Sequence, residues 1–385
     1  MKILVQYIIF MSSTLILVGQ QSYSASFVAT LGTDTVIVET YNMVPNHLYG
    51  KAFLRYPVDR IGVFNFHFHP DGSIQYYSMS YMKPDSSYVT SSHTEGVSCE
   101  NGTCTYFSSK WGGHGEYVNE YQVNEMNFMG GWTPTLSLIE WNCMRLIKSG
   151  QQVLPITMLN DYIGVRQVAL SKGNGNTMIF GGDFLKYAKI KASPDGRIMA
   201  YDGTGTPWNY IVTKHEPINV DEMAKRMSIK AKIGIPSPKE LVNFGIAEDT
   251  ISLSYSRPLK RGREIFGGIV PFESIWRTGA NDPSTINFPY DVLFGKITVP
   301  KGEYCIYTIP RVDGWTLIFN TDFEQWPTEP NRAKDFALVP LQVRNTDHST
   351  EQLTITIDPV KGGGIIKFNW DETEAFAPFS VLRKK

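Results

Sequence analysis

The stretch Ile366-Lys367-Phe368-Asn369-Trp370 alternates apolar and polar residues, which places its apolar side chains on one face of a β-strand. Two earlier stretches share this pattern: Ile251, Leu253 and Tyr255, and then Leu353, Ile355 and Ile357. Turn residues at Pro300-Lys301-Gly302 and Asp313-Gly314 mark hairpins between them. Short strands at this spacing predict an antiparallel β-sandwich or barrel over residues 239–385.

The preceding part of the chain, residues 25–214, also favours β-structure. Extended runs are separated by turn residues, and four of them cover residues 35–40, 48–56, 61–68 and 73–81. Pro70-Asp71-Gly72 and Pro194-Asp195-Gly196 each lie between two such runs, which predicts two hairpins of one design.

One segment departs from the β pattern. Thr133-Pro134 has an N-cap residue followed by proline at the first helical position, and apolar residues then recur at helical spacing until Gly150. This predicts one amphipathic helix over residues 134–149. We therefore expect the amino-terminal domain to be a curved antiparallel sheet with this helix across one face.

Residues 215–238 are predicted to link the two domains. A short charged helical stretch is followed by Ile235-Pro236-Ser237-Pro238, and its two prolines end the helix. The mainly β chain is therefore divided into an amino-terminal domain over 25–214, a linker with a short helix, and a carboxy-terminal β-sandwich over 239–385.

The first residues have the outline of a secretory signal peptide. Met1-Lys2 precedes an apolar run over residues 3–19, and small residues at Ser22 and Ser24 predict cleavage after Ser24. The alternative is an uncleaved anchor, but polar residues interrupt the run and it is shorter than a membrane span requires. With residues 1–24 removed, we expect no transmembrane segment and a secreted or periplasmic location.

The charge balance argues against nucleic-acid binding. Loss of Lys2 leaves 35 Lys and Arg, from 36, against 37 Asp and Glu, so the net charge of the mature protein is −2. No block of five or more basic residues occurs in the chain. The chain therefore lacks the positive electrostatic field that neutralises the phosphates of a nucleic acid, and nucleic acid is excluded as a partner.

Cys99-Glu100-Asn101-Gly102-Thr103-Cys104 has the pattern of a hairpin with Asn-Gly at the centre of its turn. In that register Cys99 and Cys104 face each other at a non-hydrogen-bonded pair, which suits a disulfide. Such a bond fits an oxidising compartment and would lock the hairpin, whereas two free thiols are the alternative. We interpret Cys143 and Cys305 as buried, small apolar residues.

Several motifs occur in order between residues 235 and 385: Pro236-Ser237-Pro238, Ser254-Tyr255-Ser256-Arg257-Pro258, Gly262-Arg263-Glu264-Ile265-Phe266-Gly267-Gly268-Ile269-Val270-Pro271, Trp276-Arg277-Thr278-Gly279-Ala280-Asn281, Tyr307-Thr308-Ile309-Pro310, Trp315-Thr316-Leu317-Ile318-Phe319-Asn320 and Gln325-Trp326. This part resembles the bacterial family called domain of unknown function 2911. The resemblance implies a secreted or periplasmic protein of the kind common among Bacteroidota, with no established activity and no catalytic set. Asp282 fits the acidic residue expected after the fourth motif, whereas Pro283 and Ser284 depart from the usual small residues.

The candidate ligand-binding residues lie where strand pattern changes to loop: Arg257, Trp276, Arg277, Thr278 and Asn281. Arginine with an aromatic ring and an amide could hold a carboxylate, phosphate or sugar through paired hydrogen bonds and stacking. The alternative is a structural role for the same residues: the Arg and Asn side chains satisfy buried carbonyl groups, and Trp276 fills the sandwich core.

His67-Phe68-His69 places two imidazoles on one face of a strand, which is the beginning of a zinc site. A third ligand would have to come from elsewhere: His93, His114 with Glu116, or His215 with Glu216. The alternative is an exposed strand face without a metal. No other cofactor is predicted.

The chain contains no Gly-x-Ser-x-Gly nucleophile motif. A carboxylate pair for glycoside hydrolysis stays open, because Asp and Glu are abundant and the sequence does not show their separation in space. We therefore expect binding rather than catalysis: an exported envelope protein for a small molecule, lipid or glycan, with an apolar or amphipathic pocket on the amino-terminal sheet. One alternative is an exported hydrolase or lyase, with or without a metal, that uses His67 and His69 or the Arg277 loop. The other is an envelope scaffold without catalysis.

Overall fold

The protein is described by a computed structural model, which covers residues 22–55, 58–84, 94–109, 117–123, 125–130, 135–160, 164–182, 185–206, 208–229, 233, 237–246, 249–323 and 330–382. Its fold is mainly β, with two large, predominantly antiparallel sheets, as the sequence predicts. No helix in this part of the chain is long and apolar enough to span a membrane.

The first sheet contains fifteen described strands: β1 (Tyr23–Leu31), β2 (Asp34–Val44), β3 (His47–Leu54), β4 (Arg60–Phe68), β5 (Ile74–Met82), β6 (Thr94–Glu100), β7 (Thr103–Ser109), β8 (Tyr117–Gln122), β9 (Phe128–Gly130), β10 (Val153–Asn160), β11 (Gly164–Lys172), β12 (Thr177–Gly182), β13 (Lys186–Ala192), β14 (Ile198–Asp202) and β15 (Ile211–His215). Neighbours pair antiparallel except β9 and β10, which pair parallel. β1 pairs with β15 at the centre, and β8 and β9 form the two edges of the sheet.

The signal-peptide prediction falls mostly on residues 1–21, outside the described residues. β1 begins at Tyr23, two residues before the predicted mature start at Ala25. The Tyr23 ring lies 3.7 Å below the Arg197 guanidinium. Cleavage after Ser24 would therefore remove a residue that packs on the sheet.

The predicted helix is present as α1, Leu136–Ser149, and it buries Leu136, Ile139, Cys143 and Leu146. The prediction of Thr133 as its N-cap is wrong. Thr133 and Pro134 lie outside the described residues, whereas the helix has Thr135 at its N-cap without a side-chain hydrogen bond. The cap comes from the sheet instead, because the Glu39 carboxylate of β2 accepts hydrogen bonds from the backbone N–H groups of Leu136, at 2.9 Å, and Ser137, at 2.7 Å.

The two Pro-Asp-Gly turns both pack against α1. Trp141 donates a 3.0 Å hydrogen bond from Nε1 to the Gly72 carbonyl at the β4–β5 turn. At the β13–β14 turn, a Cβ on Gly196 would lie 2.7 Å from the Met144 Cα. The predicted pair of similar hairpins therefore holds the helix on the sheet from two sides.

The second helix, α2 (Val220–Ser228), lies within the predicted linker but packs on the amino-terminal sheet. Val220 and Ala224 are buried with Phe53 and Ile61, residues of β3 and β4. Lys51 and Asp221 form a 2.6 Å ion pair beside them. This part of residues 215–238 is thus anchored to the first sheet, and the domain boundaries themselves stay predictions.

The second sheet contains β16 (Lys239–Ile246), β17 (Asp249–Ser256), β18 (Ser284–Phe288), β19 (Asp291–Phe294), β20 (Ile297–Val299), β21 (Gly302–Ile309), β22 (Trp315–Asn320), β23 (Asp335–Val360) and β24 (Gly363–Leu382), with a 3₁₀ turn at Arg332–Lys334. β23 pairs with β22 through Asp335 to Leu341 and with β24 through Gln342 to Val360. This long strand therefore joins β16, β17, β18, β21 and β22 on one side of the sheet to β24, β19 and β20 on the other. The predicted inward residues all belong to one core: Ile251, Leu253, Tyr255, Leu353, Ile355, Ile357, Ile366, Phe368 and Trp370.

The disulfide prediction is confirmed. Cys99 and Cys104 are joined and pair directly across β6 and β7. Asn101 and Gly102 have φ values of 51° and 79°, as the two central residues of this turn require. Cys143 and Cys305 are free and buried, which also agrees with the sequence.

Candidate functional site

Trp276 is part of the carboxy-terminal core. Its backbone exchanges two 2.8 Å hydrogen bonds with Thr308 of β21. Its ring stacks on Trp370, with 5.9 Å between ring centroids, and meets Phe266 edge-on at 6.1 Å. Nε1 donates to the Gly279 carbonyl at 3.0 Å. These contacts agree with the structural interpretation of Trp276, in which its ring fills the core of the domain.

Thr278 and Asn281 shape the corner that follows. Both have left-handed φ values, 53° and 58°. Thr278 is fully buried, and its Oγ1 donates to Thr308 Oγ1 at 3.2 Å. Asn281 Nδ2 donates to the Ser237 carbonyl at 3.3 Å and to Ser256 Oγ at 3.4 Å. These side chains satisfy polar groups within the protein.

Arg257, the candidate residue that directly follows β17, also has partners within the protein. Its Nε donates to the Leu353 carbonyl at 3.0 Å, and its Nη2 donates to Thr354 Oγ1 at 2.9 Å. Its Nη1 forms a 2.6 Å ion pair with Glu240. All three nitrogens therefore have partners inside the carboxy-terminal domain.

Arg277 differs from these four neighbours. Because Trp276 lies opposite Thr308 and points into the core, Arg277 and Ile275 point to the other face, together with Tyr307. The Arg277 Nε is buried without a hydrogen-bond partner, although the residue as a whole is partly exposed. Among the described residues, no acidic side chain forms a salt bridge with its guanidinium. Arg277 thus has no salt-bridge partner in the described part of the chain, while Asp282, which pairs with Lys239 at 3.6 Å, acts on it electrostatically.

Arg277 interacts electrostatically with Tyr307, which belongs to a small apolar cluster, here named the Tyr307 cluster. It consists of Cys305, Tyr307 and Ile318, with Ile275 and Ile309 packed on it. Tyr307 is fully buried, and its Oη also has no hydrogen-bond partner. Sequence reasoning did not select Tyr307, although it lies in one of the family motifs.

Electrostatics connect the two unpaired groups. Burial lowers the pKa of the Arg277 guanidinium to about 10, while Tyr307 and Asp282 act in the opposite direction. Burial raises the pKa of the Tyr307 phenol, against the lowering effect of Arg277. At neutral pH the pair therefore remains a cation next to a neutral hydroxyl donor. Such a pair can bind an anion.

Residues 237–379 match the family model described as a protein of unknown function (DUF2911). The match agrees with the resemblance seen in the sequence and contains the whole Arg277 corner. The amino-terminal part has no family match.

A solved structure shows similarity to part of the chain: the crystal structure of a β-barrel-like protein of domain of unknown function DUF1849 from Brucella abortus. Identity is 9%, the alignment covers 51% of this chain and 97% of that chain, and the TM-score is 0.31. No curated protein matches the chain.

His67 and His69 have separate surroundings. The His67 ring stacks on His47, across the strand pair, at 4.3 Å, and burial together with His47 lowers the pKa of His67. His69 Nε2 lies 3.2 Å from the Cys99 carbonyl. His215 contacts Thr213 at 2.8 Å.

The other third ligands considered for zinc, at positions 93, 114 and 116, lie outside the described residues. Within the described ranges, no three His, Cys, Asp or Glu side chains form a group that could hold a metal ion. Zinc binding stays a prediction.

Two buried carboxylates, which the sequence patterns did not identify, hold α1 on the sheet. Glu140, fully buried on the helix, accepts hydrogen bonds from Ile198 N at 2.7 Å and from Lys214 Nζ at 2.8 Å. Arg197 Nη1, at 3.2 Å, and the Tyr41 hydroxyl also donate to it. With Glu39 at the helix start, these carboxylates anchor α1 to the sheet. Both are fully engaged by protein donors.

Proposed function

We propose that the protein is exported and binds a small anionic molecule at the Arg277 corner. The observation that carries this proposal is the partly exposed Arg277, whose buried Nε has no acceptor. Burying the N–H group of a cation without an acceptor is costly, and a bound carboxylate or phosphate oxygen would offset that cost. A ligand would thus complete an arrangement that the protein leaves incomplete.

Two observations support the export part of the proposal. Residues 1–24 have the pattern of a secretory signal, and the Cys99–Cys104 disulfide suits an oxidising compartment. The protein would then act as a secreted or periplasmic binder. Its ligand could be a free small molecule, or the anionic part of a lipid or glycan.

Binding is favoured over catalysis by the chemistry of the corner. Burial raises the pKa of the Cys305 thiol to about 11, so this group is protonated at neutral pH and is a poor nucleophile. Burial likewise keeps the Tyr307 phenol protonated. The corner therefore supplies donors and apolar contacts, and neither Cys305 nor Tyr307 is an activated nucleophile at neutral pH.

The proposal can be tested by native mass spectrometry of protein purified from its own envelope. We expect the wild type to retain a small ligand and Arg277→Gln to lose it, while Arg277→Lys keeps its melting temperature but binds more weakly. Arg344→Gln is the matched control, because the Arg344 side chain is 60% exposed and pairs with Glu374 on another part of the domain. A wild-type spectrum that is always empty, or an equal ligand signal from Arg277→Gln, would contradict the proposal.

A further inference from the structure

We infer that the anion received at the Arg277 corner is the single carboxylate of an otherwise apolar molecule, and that Tyr307 donates the second hydrogen bond to it. This inference rests on the proposed function and specifies the ligand of the same site. It follows from the number of donors, the surrounding charge and the polarity of the cluster.

The donors match a carboxylate in kind. Arg277 and Tyr307 lie on the same face, and each has a buried polar atom, Nε or Oη, without a hydrogen-bond partner. A carboxylate has two oxygens, so one can face the guanidinium while the other accepts from the phenol. Because the Tyr307 hydroxyl is buried, we expect ligand entry to need local rearrangement and association to be slow.

The surrounding charge favours a monoanion. Arg277 is the cation without a salt-bridge partner among the described residues of the corner, whereas Lys239 pairs with Asp282 at 3.6 Å, and Asp282 acts on Arg277 electrostatically. Asp322 and Asp335 act in the same way on Tyr307. A phosphate monoester with nearly two negative charges would be opposed by these carboxylates with one guanidinium in its favour. A carboxylate brings one charge for one cation.

The remaining contacts favour an apolar body. The Tyr307 cluster offers the side chains of Cys305 and Ile318 beneath the corner, and Ile275 and Ile309 beside them. Cys305 and Ile318 are already buried, whereas Ile275 and Ile309 are partly exposed, so an alkyl chain or an aromatic ring would bury apolar surface against Ile275 and Ile309. A sugar would bring hydroxyl groups that this cluster leaves without partners, which is unfavourable.

The test uses the full mature protein, freed of bound ligand, and calorimetric titration with four probes below their aggregation concentrations. Octanoate and 4-butylbenzoate are the apolar carboxylates, octyl phosphate changes only the head group, and glucuronate changes the body. We expect both apolar carboxylates to bind, with affinity falling about tenfold in Tyr307→Phe and at least about 100-fold in Arg277→Gln. Arg344→Gln should bind like the wild type.

The outcomes separate this inference from the proposed function. Arg277-dependent binding of octyl phosphate or glucuronate, with both apolar carboxylates inactive, overturns the ligand class and leaves anion binding intact. Octanoate binding that is equal in Tyr307→Phe and the wild type overturns the role of Tyr307. If no probe binds and the envelope-purified protein is empty as well, the inference and the proposed function both fall.

Discussion

Arg277 and Tyr307 lie on the face of the carboxy-terminal sheet opposite to Trp276, and neither Arg277 Nε nor Tyr307 Oη has a hydrogen-bond partner. Buried polar atoms in proteins are nearly always paired, so each of these atoms carries an unfavourable desolvation cost. The two groups also act on each other electrostatically. These two atoms therefore give the fold no hydrogen bond.

Replacing Arg277 with methionine tests whether the guanidinium supports the fold. In ligand-free protein we expect Arg277→Met to raise the free energy of unfolding, or to leave it unchanged, with a gain of up to about 1 kcal/mol. The reason is that an unpaired, partly buried cation is replaced by an apolar side chain. Urea denaturation measures the change. A loss of more than about 2 kcal/mol would favour the structural interpretation of this residue.

The contact between Gly196 and α1 predicts a second result. Gly196 and Gly102 both have left-handed φ values, 89° and 79°, so alanine is strained at either position. A Cβ at Gly196 would also meet the α1 backbone, whereas a Cβ at Gly102 has no atom within 4 Å. We expect Gly102→Ala to cost about 1 kcal/mol and Gly196→Ala about 3 kcal/mol in thermal or urea unfolding. Equal costs would mean that the helix is not seated on this turn.

Glu140 predicts a large loss of stability. Glu140→Gln would leave the cations of Arg197 and Lys214 without their buried counterion, which typically costs about 3 to 5 kcal/mol. Glu216→Gln is the control, since this nearby carboxylate is exposed. Urea denaturation at neutral pH should place the Glu140 variant far below both the control and the wild type. A loss below about 1 kcal/mol would contradict an anchoring role.

Glu39 predicts a pH dependence. Burial, the largest effect, raises the pKa of its carboxyl from 4.5 to about 7, although hydrogen bonds from Ser137 and Leu136 lower it. A carboxyl with a higher pKa in the folded state binds its proton more tightly when folded. The free energy of unfolding should therefore fall as the pH rises from 4.5 to about 7, by about 3 kcal/mol in total.

This pH effect can be isolated with Glu39→Gln, which loses one cap acceptor but cannot titrate. The difference in unfolding free energy between wild type and variant should shrink as the pH increases across that interval, because the wild type alone loses the bound proton's contribution. Urea titrations at pH 5, 6, 7 and 8 give this difference. A difference that stays constant would show that the carboxyl titrates alike in folded and unfolded protein.

Much of the fold could be predicted because its signals are local. Alternation along each strand identified the inward residues of β17, β23 and β24, and the Asn-Gly turn fixed the pairing of Cys99 with Cys104. Helical spacing identified α1, although its start was placed too early. That error arose because its cap is Glu39, which lies 97 residues from the Leu136 N–H that it accepts.

The Arg277 corner shows what local patterns leave open. The motif from Trp276 to Asn281 was found in the sequence, but its residues looked equivalent there. The bridge between Trp276 and Thr308 divides them: Trp276 points into the core, while Arg277 points to the opposite face, on which Tyr307 lies. Which side chain keeps an unpaired donor depends on strand register and on distant partners, because a hydrogen bond forms only between groups that the folded chain brings together.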